Sequence, residues 1–262
     1  MWLAISPKVI KFVSQRRKPQ GGYGATPLLP ATIEDTYFAL RILNLLSCAI
    51  DVPDFLLSWD GLKVYLSGEL NKEFKNARTM YQIIWSMKVA RLKIDYQVIF
   101  DFFKKRQQET RNIEELYYLL RIKKDFLADQ YNYSISPTGF KHTTVKTLWM
   151  WLYMNEKELS EDEKQRYSNW LKACQNPDGG FGFHPGSTSY VENSHLALLS
   201  LCHLSSRPKD PDSARHFLLA SRTSPGGFAR IHGGVAFLDS TWHALAGLFI
   251  LQRSEKNPFK RS

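Results

Sequence analysis

The stretch Gly21–Leu43, GGYGATPLLPATIEDTYFALRIL, decides the fold because its pattern returns twice further along the chain. Three segments align on their double glycines: Gly21-Gly22-Tyr23, Gly179-Gly180-Phe181 and Gly226-Gly227-Phe228. Thirteen residues after the first glycine stands an acid, Glu34, Glu192 or Asp239. Fifteen after it stands a hydroxyl, Thr36, Ser194 or Thr241, and eighteen and nineteen after it comes Ala-Leu. Ungapped offsets in three places define an internal repeat. A glycine pair permits positive φ and close backbone approach, as a turn after a helix requires.

Each turn is flanked by two kinds of apolar segment. Before it lies an amphipathic run: Val9–Gln15, Tyr167–Cys174 and Ala214–Ser221. After it lies a run apolar nearly all round: Ile33–Leu46, Val191–Leu201 and Phe237–Leu251. A helix of the second kind belongs inside. The middle of the chain keeps the alternation without the glycines. Asp54–Leu66, Lys93–Lys105 and a short segment at Asp125–Tyr131 read as outer helices, and Arg78–Val89, Ile113–Ile122 and Thr143–Met154 as inner ones. Six hairpins result, at a period of about 40 residues, within the ~20–50 of repeat architectures. The expected fold is all-α: an (α/α)6 toroid occupying residues 1–262 as one domain, with residues 255–262 as a basic tail. An open helical array is the structural alternative.

Composition sets the function classes. The chain has 262 residues, 44% of them hydrophobic, which is globular and long enough for one large core. Seven Trp, 12 Tyr and 16 Phe leave rings over for lining a cavity. A net charge of +10 suits anionic partners. The cations are scattered, and the densest groups, Arg16-Arg17-Lys18, Lys104-Lys105-Arg106 and Lys256–Arg261, match no nucleic-acid module. Cys48, Cys174 and Cys202 form no CxxC pair, and their odd number fits a reducing cytoplasm. The opening MWLAISPKVIKF lacks the apolar run of a signal peptide, and no uncharged stretch is long enough to span a membrane.

The segments Gly179–Phe183, PGSTSYVENSHLALLSL at Pro185–Leu201 and GGFARIHGGVAFLDSTWHALAGL at Gly226–Leu248 resemble repeats of the prenyltransferase and squalene-cyclase superfamily. That group includes the β-subunits of protein farnesyl- and geranylgeranyltransferases and the toroidal domains of class II terpene cyclases. The resemblance implies an isoprenoid substrate held in an aromatic-lined central cavity, and a helical partner protein as a further candidate. It also implies where a catalytic zinc would sit, on an Asp-x-Cys pair and a His of successive inner helices. Here Glu192, Ser194 and Ser240 hold those places, and serine is a poor zinc ligand, so neither metal nor other cofactor is expected. Class II cyclases protonate an alkene with the middle acid of D-x-D-D-T. Thr32-Ile33-Glu34-Asp35-Thr36 is similar, with Glu34 in the donor's place and Asp35 beside it. The acid recurs in every repeat, however, and an acid or hydroxyl at a helix start also caps free N–H groups.

Inner helices that start at one rim converge their positive ends on it. Arg78, Lys141, His142, Arg230 and His232 lie at or just before such starts and are the candidate diphosphate ligands. Tyr37, Tyr81, Trp85, Trp149, Tyr190 and Trp242 are the candidate cavity wall, where aromatic faces also stabilise cations. Solvated rim cations and core-filling rings are the alternative reading of both sets.

Overall fold

The structure, a computed structural model, describes residues 2–73, 75–109, 112–127, 143–155 and 159–256. They fall into two compact units, one up to Leu127 and one from Thr143. The first unit contains α1 (Trp2–Ser14), α2 (Ile33–Leu46), α3 (Asp54–Leu57), α4 (Asp60–Leu70), α5 (Ala77–Val89), α6 (Tyr96–Glu109) and α7 (Ile113–Ile122), which runs on as one π-turn at Lys123–Leu127. The second contains α8 (Val145–Met154), α9 (Glu161–Ala173), α10 (Val191–His203), α11 (Pro211–Ala220) and α12 (Leu238–Lys256).

Helices alternate between two layers in each unit. In the first, α2, α5 and α7 pack side by side in chain order, and α1, α4 and α6 each lie against the inner helix that follows. In the second, α8, α10 and α12 form the inner row, with α9 on α10 and α11 on α12. The inner helices are buried on most sides, as their composition requires; α2 buries nine of its residues, among them Tyr37, Leu40, Ile42 and Leu43. Two expected outer helices differ. The segment at Asp54–Leu66 breaks into α3 and α4, with Ser58 and Trp59 extended and the Ser58 hydroxyl donating to the Ala90 carbonyl at 3.0 Å. Asp125–Leu127 continues α7 in its π-turn instead of starting a new helix, and the rest of that segment lies outside the described residues.

The repeat has one hydrogen-bond plan, executed three times. The first glycine of each pair has positive φ: +119° at Gly21, +86° at Gly179 and +106° at Gly226. The aromatic that follows the pair is fully buried and forms antiparallel bridges both to a residue two or three past the outer helix and to the residue just before the inner one. Its N–H donates to the repeat hydroxyl at 2.9 Å each time: Tyr23 to Thr36, Phe181 to Ser194 and Phe228 to Thr241. Each hydroxyl in turn donates to the carbonyl four residues back, at 2.7, 2.9 and 2.6 Å. The hydroxyl therefore pins the turn to the inner helix. Its removal leaves a buried N–H without an acceptor, which costs about 1–3 kcal/mol. Thr36→Val, Ser194→Ala and Thr241→Val are each expected to lower the urea midpoint by a matching amount.

The first glycine also joins neighbouring hairpins. A Cβ on Gly21 would stand 2.1 Å from the Gly61 carbonyl oxygen in α4, and one on Gly179 would stand 2.0 Å from that of Ser213 in α11. These two turns thus seat on the first residues of the next outer helix.

Part of the basic charge is structural. Arg16 donates to the carbonyls of Phe12 and Ala25, and Lys18 to those of Thr26 and Pro27, so two buried cations hold the Ala25–Pro27 loop. Burial pushes the Arg16 guanidinium below its usual range, partly offset by Asp35. Cys174 is buried and its thiol is pushed up to about 12 by desolvation, so this cysteine is unreactive. No described helix is long and apolar enough to cross a membrane.

Candidate functional site

Inner helices α2, α5 and α7 bring one aromatic cluster together in the first unit. Tyr37 meets Trp85 at 5.3 Å and Tyr81 at 6.2 Å between ring centroids, in edge-to-face geometry. Tyr81 continues the cluster to Tyr118 at 5.7 Å and Phe126 at 6.2 Å. Such pairs contribute about 0.5–1.5 kcal/mol each beyond burial. Two guanidiniums lie on these rings. Arg41 donates to the Tyr37 hydroxyl at 2.8 Å and its centre stands 5.5 Å from the Trp85 ring. Arg121 donates to the Tyr81 hydroxyl and stands 4.2 Å from that ring. The Tyr81 hydroxyl donates to Asp125 at 2.8 Å, and Arg121 approaches the same carboxylate at 3.6 Å. Burial holds the Tyr81 phenol well above its usual range, so it stays protonated and serves as the link between acid and base.

Sequence reasoning missed Arg41 and Arg121. The available signal was a repeated Tyr-x3-Arg, Tyr37 with Arg41 and Tyr117 with Arg121, because residues four apart share a helix face. The π-turn after α7 is a second mark, since π-bulges gather at functional sites.

Beside this cluster, within the first unit, opens a cleft of about 990 Å3. Tyr81 and Trp85 form its aromatic side, and the C-terminal ends of α2 and α5 its edges. Three cations, Lys88, Arg91 and Arg121, face three acids, Asp51, Asp54 and Asp125, around it. The volume lies at the upper end of the usual range for small-molecule sites, about 300–1,000 Å3.

Of the expected rim residues, Arg78 is otherwise engaged. Arg78 at the start of α5 pairs with Glu34 and stands 3.8 Å from Glu114. The Ala77 N–H, an open end of the same helix, donates to Glu115 at 2.9 Å, and Asn76 caps Thr79. This helix start thus holds anions of the chain's own. Glu34 is 52% exposed in its ion pair and does not cap α2. The cap is Thr32, whose hydroxyl accepts from the Asp35 N–H at 3.0 Å and donates to the Asp35 carboxylate at 2.7 Å. Asp239 accepts from the Ser240 N–H at 2.6 Å.

In the second unit, Arg230 lies 4.2 Å over the Tyr190 ring, and its carbonyl accepts from the Val191 N–H at the start of α10. His232 is exposed, with Nδ1 at 2.8 Å from the Ala220 carbonyl. Trp149 packs on Tyr153 and His203, and Trp242 on His195, so Trp149, Tyr190 and Trp242 take part in three different contacts. Lys141 and His142 lie outside the described residues.

The hydroxyls at the expected zinc positions are engaged in the fold's own hydrogen bonds. Ser194 both accepts and donates within its turn, as Thr36 and Thr241 do, and the Ser240 hydroxyl faces the Phe237 carbonyl. Residues so engaged do not fit a zinc site. Among the described residues, no three His, Cys, Asp or Glu side chains gather within reach of one ion.

Residues 4–108 and 115–256 match the prenyltransferase alpha-alpha toroid domain. The chain belongs to this family. Its fold class is accordingly the all-α toroid, and the two rows of inner and outer helices are the family's repeats. Among solved structures, this toroid chain is similar to Candida albicans protein geranylgeranyltransferase-I complexed with GGPP. The identity is 15%, the match covers 87% of this chain and 86% of that one, and the TM-score is 0.55. At such identity the likeness concerns the fold alone. A search of curated protein sequences finds no match.

Proposed function

We propose that this toroid protein binds an isoprenoid diphosphate, with the prenyl chain against Trp85, backed by the buried Tyr81, in the first unit's cleft. The observation that carries the reading is the aromatic cluster of Tyr37, Tyr81 and Trp85 with Arg41 and Arg121 set on its faces. An aromatic wall suits a branched alkene chain by apolar contact, and its quadrupoles suit a developing allylic cation. Family membership and the GGPP carried by the yeast transferase point the same way. Lys88 and Arg121 at the cleft are placed to meet an anionic head, while the neighbouring acids leave the cleft near charge balance. Arg230, exposed beside the start of α10, and His232, exposed at the end of α11, are a second candidate for a diphosphate.

Binding without turnover is a second reading, favoured by one observation. Glu34 faces a guanidinium and is half exposed, whereas protonating an alkene needs an undissociated acid beside an apolar cavity.

Titrating the protein with farnesyl and geranylgeranyl diphosphates and following tryptophan fluorescence tests the proposal. Saturable quenching is expected, with Trp85→Leu weakening affinity by roughly tenfold, the worth of about 1.4 kcal/mol. The diphosphates should bind more tightly than the matching alcohols. Equal affinity for both would reassign the site to a neutral lipid, and no binding of either would sink the reading. Glu34→Gln should leave binding unchanged, and it abolishes any cyclised product only if that carboxyl donates the proton.

A further inference from the structure

The repeat sets an aromatic after each glycine pair, and among the three only the first is a tyrosine: Tyr23 against Phe181 and Phe228. The rings serve alike. Each is fully buried, and each turn keeps the same bond to its inner helix. The hydroxyl is the difference. It donates to the Leu56 carbonyl in α3 at 2.5 Å, 33 residues away in sequence. Burial holds the Tyr23 phenol well above its usual range, so it stays protonated and donates.

The Leu56 carbonyl needs a donor because the outer helix is interrupted. A continuous helix would bring it the Asp60 N–H, four residues on. Ser58 and Trp59 are extended instead, and α4 starts at Asp60. Leu56 is 1% exposed, and a buried carbonyl without a donor is costly. Trp59, at the interruption, meets the Tyr23 ring edge-on with centroids 5.6 Å apart. The second repeat presents no such carbonyl. Its turn seats on α11, and no short helix precedes Pro211. Phenylalanine serves there, and tyrosine goes with α3.

Helix α3 is one side of the first unit's cleft, where its Asp54 and Leu57 join Trp85 and Lys88 of α5. At four residues it is too short to hold its own shape, so contacts outside it fix its position. The Asp54–Arg91 pair is 3.7 Å long and exposed on both sides, hence weak. The Ser58 hydroxyl bond to Ala90 is part-buried, and the Tyr23 bond is buried.

We infer that Tyr23 is a positioning residue of the cleft: its hydroxyl fixes α3 on the repeat turn and so sets where Asp54 and Leu57 stand. The inference rests on the reading of this cleft as the ligand site.

The test compares the full-length chain with Tyr23→Phe, which restores the residue of the other two repeats. Hydrogen exchange comes first, without ligand. The Leu56 and Ser58 amides should exchange roughly fivefold faster or more in the variant. The amide of residue 23, held by Thr36, should not change. Fluorescence titration with farnesyl diphosphate should then show affinity weakened by a similar factor, because binding must first return α3 to its place. In the wild-type chain, saturating farnesyl diphosphate should slow the Leu56 and Ser58 amides, a readout that a hydroxyl serving stability alone would not move. Exchange raised evenly through the first unit, or unchanged at Leu56 and Ser58, would overturn the inference. A loosened α3 with affinity unchanged would overturn it too, while leaving the isoprenoid reading intact. A loosened α3 in a chain that binds no prenyl diphosphate would keep the hold of Tyr23 on α3 and sink the isoprenoid reading instead.

Discussion

Gly179→Ala is expected to cost about 3 kcal/mol or more. Two penalties combine. A φ of +86° costs a non-glycine residue about 1–3 kcal/mol. The new methyl also meets the Ser213 carbonyl oxygen at 2.0 Å, backbone that cannot rotate away. Relief requires α11 to withdraw, and with it the Phe217 ring that lies 2.7 Å from where a Cβ on Gly180 would stand. A domain of this size loses roughly 2–4 °C per kcal/mol, so a fall in Tm of about 10 °C is the expected reading. Gly186→Ala is the control: its φ is +79°, but a Cβ there meets nothing within 4 Å. Equal losses at both positions would show that backbone strain alone matters and that the seat on α11 contributes nothing.

Tyr81→Ala is expected to lose about 3–5 kcal/mol, the usual range for truncating a buried ring. The ring is fully buried and touches Tyr37, Tyr118 and Phe126, so its removal opens the centre of the aromatic cluster. Tyr81→Phe separates packing from polar linkage. It keeps the ring and removes only the hydroxyl between Arg121 and Asp125, for about 1–3 kcal/mol. If the cleft holds a prenyl chain, Tyr81→Ala abolishes binding while Tyr81→Phe retains it. Calorimetry for stability and fluorescence titration for binding, on the same two variants, distinguish a ring that only fills the core from one that also backs the ligand's wall. Retained affinity in Tyr81→Ala would remove this ring from the site.

Local backbone needs wrote themselves plainly into the chain. The Gly-Gly-aromatic turn and its partner hydroxyl keep fixed offsets because every link in that hydrogen-bond plan spans fewer than twenty residues. Helices α2 and α7 follow their apolar runs to the residue for the same reason. The acid at the neighbouring offset looked equivalent to the hydroxyl in sequence and is not. Glu34 reaches across to Arg78, 44 residues away, a pairing that no local pattern encodes. The contact of His195 in α10 with His243 in α12, 2.8 Å between their Nδ1 atoms, was hidden likewise, since only the register of the two helices makes it. Of the six expected wall aromatics, Tyr37, Tyr81 and Trp85 converge because their helices are consecutive inner neighbours. The break between α3 and α4 depends on Ser58 reaching Ala90, again a distant contact.

Because Gly21 rests on Gly61 and Gly179 on Ser213, each of these two bends is completed by the outer helix made after it. A nascent chain leaving the ribosome at about 5–20 residues per second would hold both bends unsupported for some seconds, until that helix emerges. At these two bends, synthesis order and assembly order therefore coincide.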